Sequence, residues 1–229
     1  MDLCKEALAL YIFKPVKNRM QKKKRIFGAI PLLVVISCIL IAFKSESRLA
    51  IKKMMEEPGR IGMITPSSRA LYKHMIRQIL PISSNTETLL VELGPGTGVG
   101  TLLLLELGLS PDQLLCVELD PELKQYMAER FPGVQTILGD AVNLQHILGD
   151  NSGKVTAIIS GIPLKNLSKK QAIAIIDKCH TVLKPHGKLV QFTYSIKPPP
   201  TIPGFKRTFG GLVLFNLPPA FVWTFTKVE

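Results

Sequence analysis

The chain has 229 residues, of which 46% are hydrophobic, and it carries 29 Lys and Arg against 17 Asp and Glu. These values exclude a disordered chain and suit one domain, or one domain with an appendage. The excess positive charge is uneven, because residues 1–60 hold 13 Lys and Arg against 5 Asp and Glu, whereas residues 61–229 hold 16 against 12. This distribution argues against a uniformly basic nucleic-acid binder. It predicts a basic N-terminal segment attached to a domain whose net charge is close to ordinary. The four cysteines are widely spaced, so the sequence predicts neither a disulfide framework nor a metal site.

Residues 1–60 are predicted to form a membrane-associated extension. Residues 26–43 read IFGAIPLLVVISCILIAF, an uncharged run of 18 residues at the threshold length of a transmembrane helix. The run is apolar on all sides, which favours membrane insertion over a buried core helix, and a secretory signal peptide is the remaining alternative. Residues 45–57 are predicted to form a basic amphipathic helix that either lies on an anionic membrane surface or docks on the domain.

Residues 61–229 are predicted to form an α/β domain in which strands alternate with helices. The predicted strands cover residues 89–93, 114–119, 134–138, 155–160, 188–194, 211–216 and 221–226. Predicted helices follow the glycines at 94–98 and cover 121–131, 141–148 and 168–183, the last of them closed by residues 184–187. This order is typical of a doubly wound, mostly parallel, seven-stranded Rossmann-like sheet with its site at the carboxyl ends of the strands.

The sequence around the first strands predicts a nucleoside site. Residues 91–98 read VELGPGTG, and glycines directly after a strand let the backbone pass close to a ligand and turn into a helix. Glu118 ends the second strand, where a carboxylate can accept both hydroxyls of a ribose. Asp140 follows the third strand and can take the exocyclic amine of an adenine. Because no run of phosphate-binding Lys or Arg accompanies the turn, a nucleoside is favoured over a dinucleotide.

This series of motifs resembles the class I S-adenosylmethionine-dependent methyltransferases. The resemblance implies S-adenosyl-L-methionine as cofactor and S-adenosyl-L-homocysteine as product, with the first loop at the amino-acid end, Glu118 on the ribose and Asp140 on the adenine. The cofactor-binding residues are then Glu92, Gly94, Gly96, Thr97, Gly98, Glu118, Asp140, Ala141 and Ser160. The alternative for Glu92 is a surface or capping carboxylate, and the alternative for Asp120 is a helix N-cap before Pro121.

Four further motifs resemble the bacterial phospholipid N-methyltransferases, which convert phosphatidylethanolamine stepwise to phosphatidylcholine. They read GMITPSSR at 62–69, SGIPL at 160–164, QFTY at 191–194 and NLPPA at 216–220, and the resemblance spans about residues 45–229. The first 43 residues are additional to the family pattern. The related rRNA adenine dimethyltransferases carry an Asn and an aromatic ring after the fourth strand, and SGIPL has neither. The sequence therefore predicts no nucleic-acid partner.

The reaction implied by this resemblance depends on holding nitrogen, methyl carbon and sulfur in line, and no general base is evident. Tyr194, Ser160 and Pro163 are predicted at the reacting end of the site, and the Tyr194 ring would stabilise a quaternary ammonium. Ser67, Ser68, Arg69 and Tyr194 are predicted to contact the lipid. The alternatives are helix caps for the two serines, a solvated or structural role for Arg69, and a rim packing role for Tyr194.

Membrane topology is the point at which two expectations conflict. Residues 14–25, just before the apolar run, hold seven Lys and Arg, and residues 44–53, just after it, hold four, which would place residues 61–229 outside the cell. Since the cofactor is cytosolic, we expect a domain at the cytoplasmic face of the membrane, facing an anionic surface and its phospholipid substrate.

The alternative functions are methylation of another aminolipid, such as an ornithine lipid, methylation of rRNA adenine, and a non-catalytic membrane-anchored nucleoside-binding protein. The sequence predicts no metal partner and gives no oligomeric state.

Overall fold

The computed structural model describes residues 68–82, 88–216 and 218–229. The helices of this part are α1 (Arg69–Arg77), α2 (Val99–Glu106), α3 (Pro121–Arg130), α4 (Leu144–Leu148) and α5 (Lys169–Val182). The strands are β1 (Leu90–Leu93), β2 (Leu114–Glu118), β3 (Gln135–Leu138), β4 (Val155–Ser160), β5 (Leu183–Thr193), β6 (Phe205–Val213) and β7 (Ala220–Lys227). The predicted membrane segments 26–43 and 45–57, the motif residues 62–67 and Leu217 lie outside the described residues.

The seven strands of the described part form one sheet in the order β3-β2-β1-β4-β5-β7-β6. The pairs β1–β2, β1–β4, β2–β3 and β4–β5 are parallel, whereas β7 runs antiparallel to both β5 and β6. The predicted doubly wound, mostly parallel, seven-stranded sheet is confirmed. The strand order reverses on either side of β1, so β1 lies at the switch point where open α/β sheets bind their ligands.

One edge of the sheet, here called the carboxyl edge, collects the carboxyl ends of β1 to β5. The antiparallel register brings a further connection to the same edge. Thr193 at the end of β5 pairs with Phe221 at the start of β7, and Val213 at the end of β6 pairs with Ala220. The turn between β6 and β7 therefore lies at the carboxyl edge, beside the loops that follow β4 and β5.

Two buried clusters cover the two faces of the sheet. One cluster joins α1, α2 and α3 to the sheet through residues such as Leu71, Leu104 and Met127. The other joins α4 and α5 to the opposite face through residues such as Leu144 and Ile176. Each of these five side chains is at least 99% buried. Burial of one such side chain contributes about 1.5–3 kcal/mol to the free energy of unfolding.

Two predicted boundaries are wrong. The strand predicted at 211–216 is β6, and it begins at Phe205 and ends at Val213. An edge strand needs backbone pairing on one side only, so its polar first half (FKRT) pairs with β7, while the apolar residues Leu214 and Phe215 form a turn. Residues 184–187 do not simply close a helix, since β5 already starts at Leu183 and the register with β4 skips from Leu183 to Lys188.

The remaining predicted elements are close to the observed ones. The predicted helix 141–148 is a 3₁₀ turn (Ala141–Asn143) followed by the short helix α4. No helix in the described part of the chain is long and apolar enough to cross a membrane.

Candidate active site

The glycine turn after β1 takes up left-handed backbone conformations at three positions. Gly94, Gly96 and Gly98 have φ angles of 64°, 58° and 78°. A Cβ at Gly98 would lie 2.4 Å from a Phe131 ring carbon, so this glycine lets α2 start against α3. A Cβ at Gly96 would meet nothing within 4 Å. The turn therefore closes on the protein at Gly98 and stays open at Gly96.

Glu92 lies in β1 and is completely buried. The Thr101 hydroxyl donates a hydrogen bond of 2.6 Å to its Oε2. Burial raises the pKa of Glu92 from 4.5 to about 7, although the hydrogen bond from Thr101 opposes the shift. The alternative of a surface or capping carboxylate is wrong, and the predicted cofactor contact of Glu92 stays a prediction.

Tyr72 of α1 lies beside this carboxylate, and sequence reasoning missed it. A Cβ at Gly100 would lie 2.3 Å from Glu92 Oε1 and 2.4 Å from the Tyr72 ring, and a Cβ at Gly161 would lie 2.8 Å from the Tyr72 hydroxyl. Burial, and then the Glu92 charge, raise the pKa of Tyr72 well above 10. The signal that could have found it is the helical spacing of the buried residues of α1, namely Leu71, Tyr72, Met75 and Ile76.

Glu118 ends β2 at the carboxyl edge, as predicted, and its carboxylate is held by backbone donors. Its Oε2 accepts from Gly96 N at 3.0 Å, and its Oε1 accepts from the N–H groups of Leu119 at 2.9 Å and Asp120 at 3.1 Å. Burial raises the pKa of Glu118, while these backbone hydrogen bonds oppose the rise. The bond to Gly96 joins the glycine turn to the predicted ribose acid.

Two aspartates begin helical segments at the same edge. Asp120 accepts from Glu122 N at 2.9 Å and Leu123 N at 3.0 Å, so its alternative role as the N-cap of α3 is confirmed. Asp140 is exposed and accepts from Val142 N at 3.1 Å, and the neighbouring Ala141 is buried. Asp140 and Ala141 therefore lie at the carboxyl edge next to β2, and their contact with adenine stays a prediction.

The predicted reacting residues lie on the neighbouring strands β4 and β5. Ser160 ends β4, is buried, and accepts from Ile162 N at 3.3 Å. Pro163 precedes the 3₁₀ turn Leu164–Asn166. Tyr194 directly follows β5 and packs edge-on against Phe192, with ring centroids 5.3 Å apart. The structure thus brings Ser160, Pro163 and Tyr194 to adjacent strand ends, where their catalytic roles stay predictions.

Gln191 of β5 positions the loop after β4, and the sequence motifs did not single it out as an individual residue. Gln191 is 1% exposed and its Nε2 donates to the carbonyl of Ile162 at 2.9 Å and to that of Phe192 at 2.8 Å. It therefore ties the loop after β4 to β5. Its sign in the sequence is a polar residue inside an otherwise apolar strand.

The predicted lipid-contacting residues of α1 have structural partners. Ser68 Oγ accepts from Leu71 N at 3.1 Å, so the alternative of a helix cap is confirmed for Ser68. Arg69 is half exposed and its Nη2 lies 2.7 Å from Glu106 Oε2. Ser67 lies outside the described residues. A contact of Ser68 or Arg69 with a substrate stays a prediction.

A cavity of about 380 Å³ lies between the loop after β4 and the end of β5. Its lining combines apolar side chains with three exposed lysines, and consists of Leu164, Lys165, Leu167, Lys169, Ala172, Phe192, Thr193, Lys197, Pro198, Pro199 and Pro200. No acidic side chain lines it. This lysine-rimmed cavity opens at the same edge of the sheet as the glycine turn.

Residues 68–82, 88–216 and 218–229 hold no group of three or more His, Cys, Asp or Glu side chains that could bind a metal ion. Cys116 and Cys179 are buried free thiols, and burial raises the pKa of both, that of Cys179 to about 12.

Comparison with known proteins finds similarity to methyltransferases. Residues 90–187 match the family model described as a methyltransferase domain. An ornithine lipid N-methyltransferase from Singulisphaera acidiphila is 28% identical over 182 residues, which cover 75% of this chain and 91% of that protein.

Solved structures share the fold at low sequence identity. TrmN from Thermus thermophilus has a TM-score of 0.55 and 15% identity over 70% of this chain, which spans only 49% of TrmN. A TehB-like S-adenosylmethionine-dependent methyltransferase from Corynebacterium glutamicum has a TM-score of 0.52 and 15% identity over 79% of this chain and 98% of that one. At these identities the likeness concerns the fold.

The fold and the glycine turn are similar to those of S-adenosylmethionine-dependent methyltransferases, and residues 90–187 match a methyltransferase domain. S-adenosylmethionine is its methyl donor. The residues present fit this cofactor, because the turn is open at Gly96 and the buried carboxylate of Glu118 is fixed next to it at the switch point.

Proposed function

We propose that this protein transfers methyl groups from S-adenosylmethionine to the amine of a membrane aminolipid. When bound, the cofactor supplies an electrophilic methyl group on its sulfonium. The chain's own residues have to hold the cofactor, hold the lipid amine in line with that methyl group, and accept an apolar substrate at the carboxyl edge.

The observation that carries this proposal is the lysine-rimmed cavity. Its apolar lining from Leu164, Phe192 and the prolines suits hydrocarbon, whereas Lys165, Lys169 and Lys197 suit an anion at its mouth. A molecule with an acyl chain and an anionic headgroup combines both features. The cavity is lined by the loop after β4 and the end of β5, the strand ends that carry the predicted reacting residues.

Two aminolipids present an amine a few bonds away from an anion. In phosphatidylethanolamine the anion is a phosphate, and in an ornithine lipid it is a carboxylate. The relative from Singulisphaera acidiphila supports the ornithine lipid, and the four short motifs support phosphatidylethanolamine. The shared chemistry is an anion held by lysines while the amine reaches the methyl group.

Each predicted site residue then has a task. Glu118 accepts the ribose hydroxyls, Asp140 meets the adenine, and the open backbone at Gly96 lets the cofactor approach. Tyr194 offers an aromatic face to the ammonium group that gains positive charge as methyl groups are added. The lipid amine has to lose its proton before it attacks the methyl group, and water or a nearby polar group at the open edge can accept it.

We further propose that residues 1–60 hold the domain at the cytoplasmic face of the membrane, with residues 26–43 inserted and residues 45–57 on the surface. The cytosolic supply of the methyl donor supports this orientation.

The test is methyl transfer from labelled S-adenosylmethionine by the full-length protein. Three kinds of phosphatidylglycerol vesicle are compared, which contain phosphatidylethanolamine, ornithine lipid or no aminolipid. A fourth sample contains rRNA in place of vesicles. We expect label in one or both aminolipids and none in the vesicles without an amine. Transfer to rRNA alone would refute the proposal, and cofactor binding without any transfer would favour a non-catalytic nucleoside-binding protein.

A further inference from the structure

We propose that the turn between β6 and β7 is a membrane-docking element, whose Leu214 and Phe215 side chains enter the acyl region of the bilayer next to the active site. The choice of a lipid bilayer as the partner rests on the proposed lipid substrate. The turn itself was not among the segments predicted to meet the membrane.

The first argument is exposure. Phe215 is 90% exposed and Leu214 is 66% exposed, and Leu212 at the end of β6 is 44% exposed. Ile196, in the connection that follows β5, is 77% exposed. Single exposed apolar residues are common on soluble proteins, but neighbouring large ones at one loop mark an interaction surface.

The second argument is that the turn is held in place. Asn216 directly follows Phe215 and is only 4% exposed. Its Oδ1 accepts from Ser68 N at 3.0 Å, and its Nδ2 donates to the Pro218 carbonyl at 2.8 Å. The turn is thus fixed to the start of α1, and the exposure of Leu214 and Phe215 follows from a hydrogen-bonded geometry.

The third argument is position and charge. The β6–β7 turn and the connection holding Ile196 both lie at the carboxyl edge, the edge of the lysine-rimmed cavity. The lysines at this edge are Lys165, Lys169 and Lys197, which rim the cavity, and no acidic side chain lines it. Apolar tips beside lysines are complementary to an anionic bilayer, in which hydrocarbon lies beneath negative headgroups. A lipid amine in such a bilayer would then face the cofactor site.

The experiment uses the full-length protein with one reporting tryptophan. Trp223 is the chain's one tryptophan, so Trp223→Phe with Phe215→Trp places the reporter in the turn. The matched control is Trp223→Phe with Leu107→Trp, because Leu107 is 58% exposed and follows the end of α2, at the opposite edge of the sheet. Both proteins are mixed with phosphatidylglycerol and phosphatidylethanolamine vesicles, with and without lipids brominated in the acyl chain.

We expect the emission of residue 215 to shift to the blue and to be quenched by brominated acyl chains, and that of residue 107 to stay unchanged. Unchanged emission at 215 on vesicles with which the protein sediments would overturn the proposal. Lipid methylation without quenching at 215 would refute the docking element alone, whereas quenching at 215 without methylation of any aminolipid would refute the proposed function alone.

A second variant tests the effect on turnover. Leu214→Ser with Phe215→Ser should raise KM for vesicle substrate about tenfold or more, since two apolar side chains lose their burial in lipid, and should leave S-adenosylmethionine affinity unchanged. An unchanged KM would contradict the proposal. Conversion of a dimer to a monomer by the same variant, measured by analytical ultracentrifugation without lipid, would assign the surface to a second copy of the chain and also contradict it.

Discussion

Two carboxylates lie close to the switch point of the sheet in different surroundings. Glu118 receives three backbone hydrogen bonds at the carboxyl edge, whereas Glu92 is completely buried in β1 and its Oε2 accepts from the side chains of Thr101 and Cys116. Backbone donors favour a charged carboxylate, and burial disfavours it. Glu118 is therefore suited to bind hydroxyl groups as an anion, and Glu92 changes charge near neutral pH.

The pKa of Glu92 gives the domain a pH-dependent stability. Because the folded protein keeps a proton on Glu92 up to about pH 7 and the unfolded chain releases it near pH 4.5, the free energy of unfolding falls as the pH rises between these values. We expect Glu92→Gln to remove up to about 3 kcal/mol of this fall. Denaturant unfolding at about pH 5 and about pH 8 measures it, with Glu129→Gln, at an exposed glutamate, as control. An equal slope in Glu92→Gln and the wild type would contradict the assignment.

Glu118→Ala should weaken S-adenosylmethionine binding about 10- to 100-fold, because a charged acceptor for two ribose hydroxyls is lost. Isothermal titration calorimetry measures the affinity. Asp150→Ala removes an exposed carboxylate from the short turn after α4 and serves as the control, with unchanged affinity expected. An unchanged affinity in Glu118→Ala would remove the ribose assignment.

At the scale of elements, two glycines of the turn after β1 have different roles: Gly98 permits close packing, and Gly96 leaves space for the cofactor. Gly96 and Gly98 both have positive φ, but only Gly98 faces protein, namely Phe131 and Met127. Gly98→Ala should lower the free energy of unfolding by about 2–4 kcal/mol, through backbone strain and overpacking. Gly96→Ala should cost about 1–2 kcal/mol of stability, through strain alone, and should weaken cofactor binding. Chemical denaturation and calorimetry on both variants check this, and equal stability losses would be the contrary result.

The sequence predicts the parallel half of this fold well, because β1, β2 and β4 are buried, mostly apolar runs, and α3 and α5 begin at side-chain caps. Glu118 and the glycines could be placed at the carboxyl edge for the same reason. Tyr72 could not, because its approach to Glu92 depends on how α1 packs against α2 and the sheet, which is a contact between distant parts of the chain. The predicted bounds of β6 were wrong because this edge strand carries polar residues in its first half. The apolar residues that follow it, Leu214 and Phe215, are exposed in a turn and do not belong to the sheet.

At the scale of the molecule, charge and apolar surface meet at one edge. The lysines around the cavity are exposed, so their attraction to an anionic surface is screened by salt. Changing Lys165, Lys169 and Lys197 together to Gln should raise KM for lipid in anionic vesicles several-fold, with a larger difference at low ionic strength. The matched control changes Lys154, Lys178 and Lys206 to Gln, which alters net charge equally away from the cavity. If both triple variants behaved alike, net charge and not the cavity would set the substrate affinity.

One wall of the cavity consists of Pro198, Pro199 and Pro200, whose rings fix their φ angles. Such a wall has little conformational entropy to lose when a ligand enters. Entry of an acyl chain should therefore show a negative heat-capacity change from apolar burial with only a small ordering cost. Calorimetric titration with a short-chain aminolipid at several temperatures would measure this heat-capacity change. The three prolines would then act as a preorganised surface that binds an apolar substrate with little loss of conformational entropy.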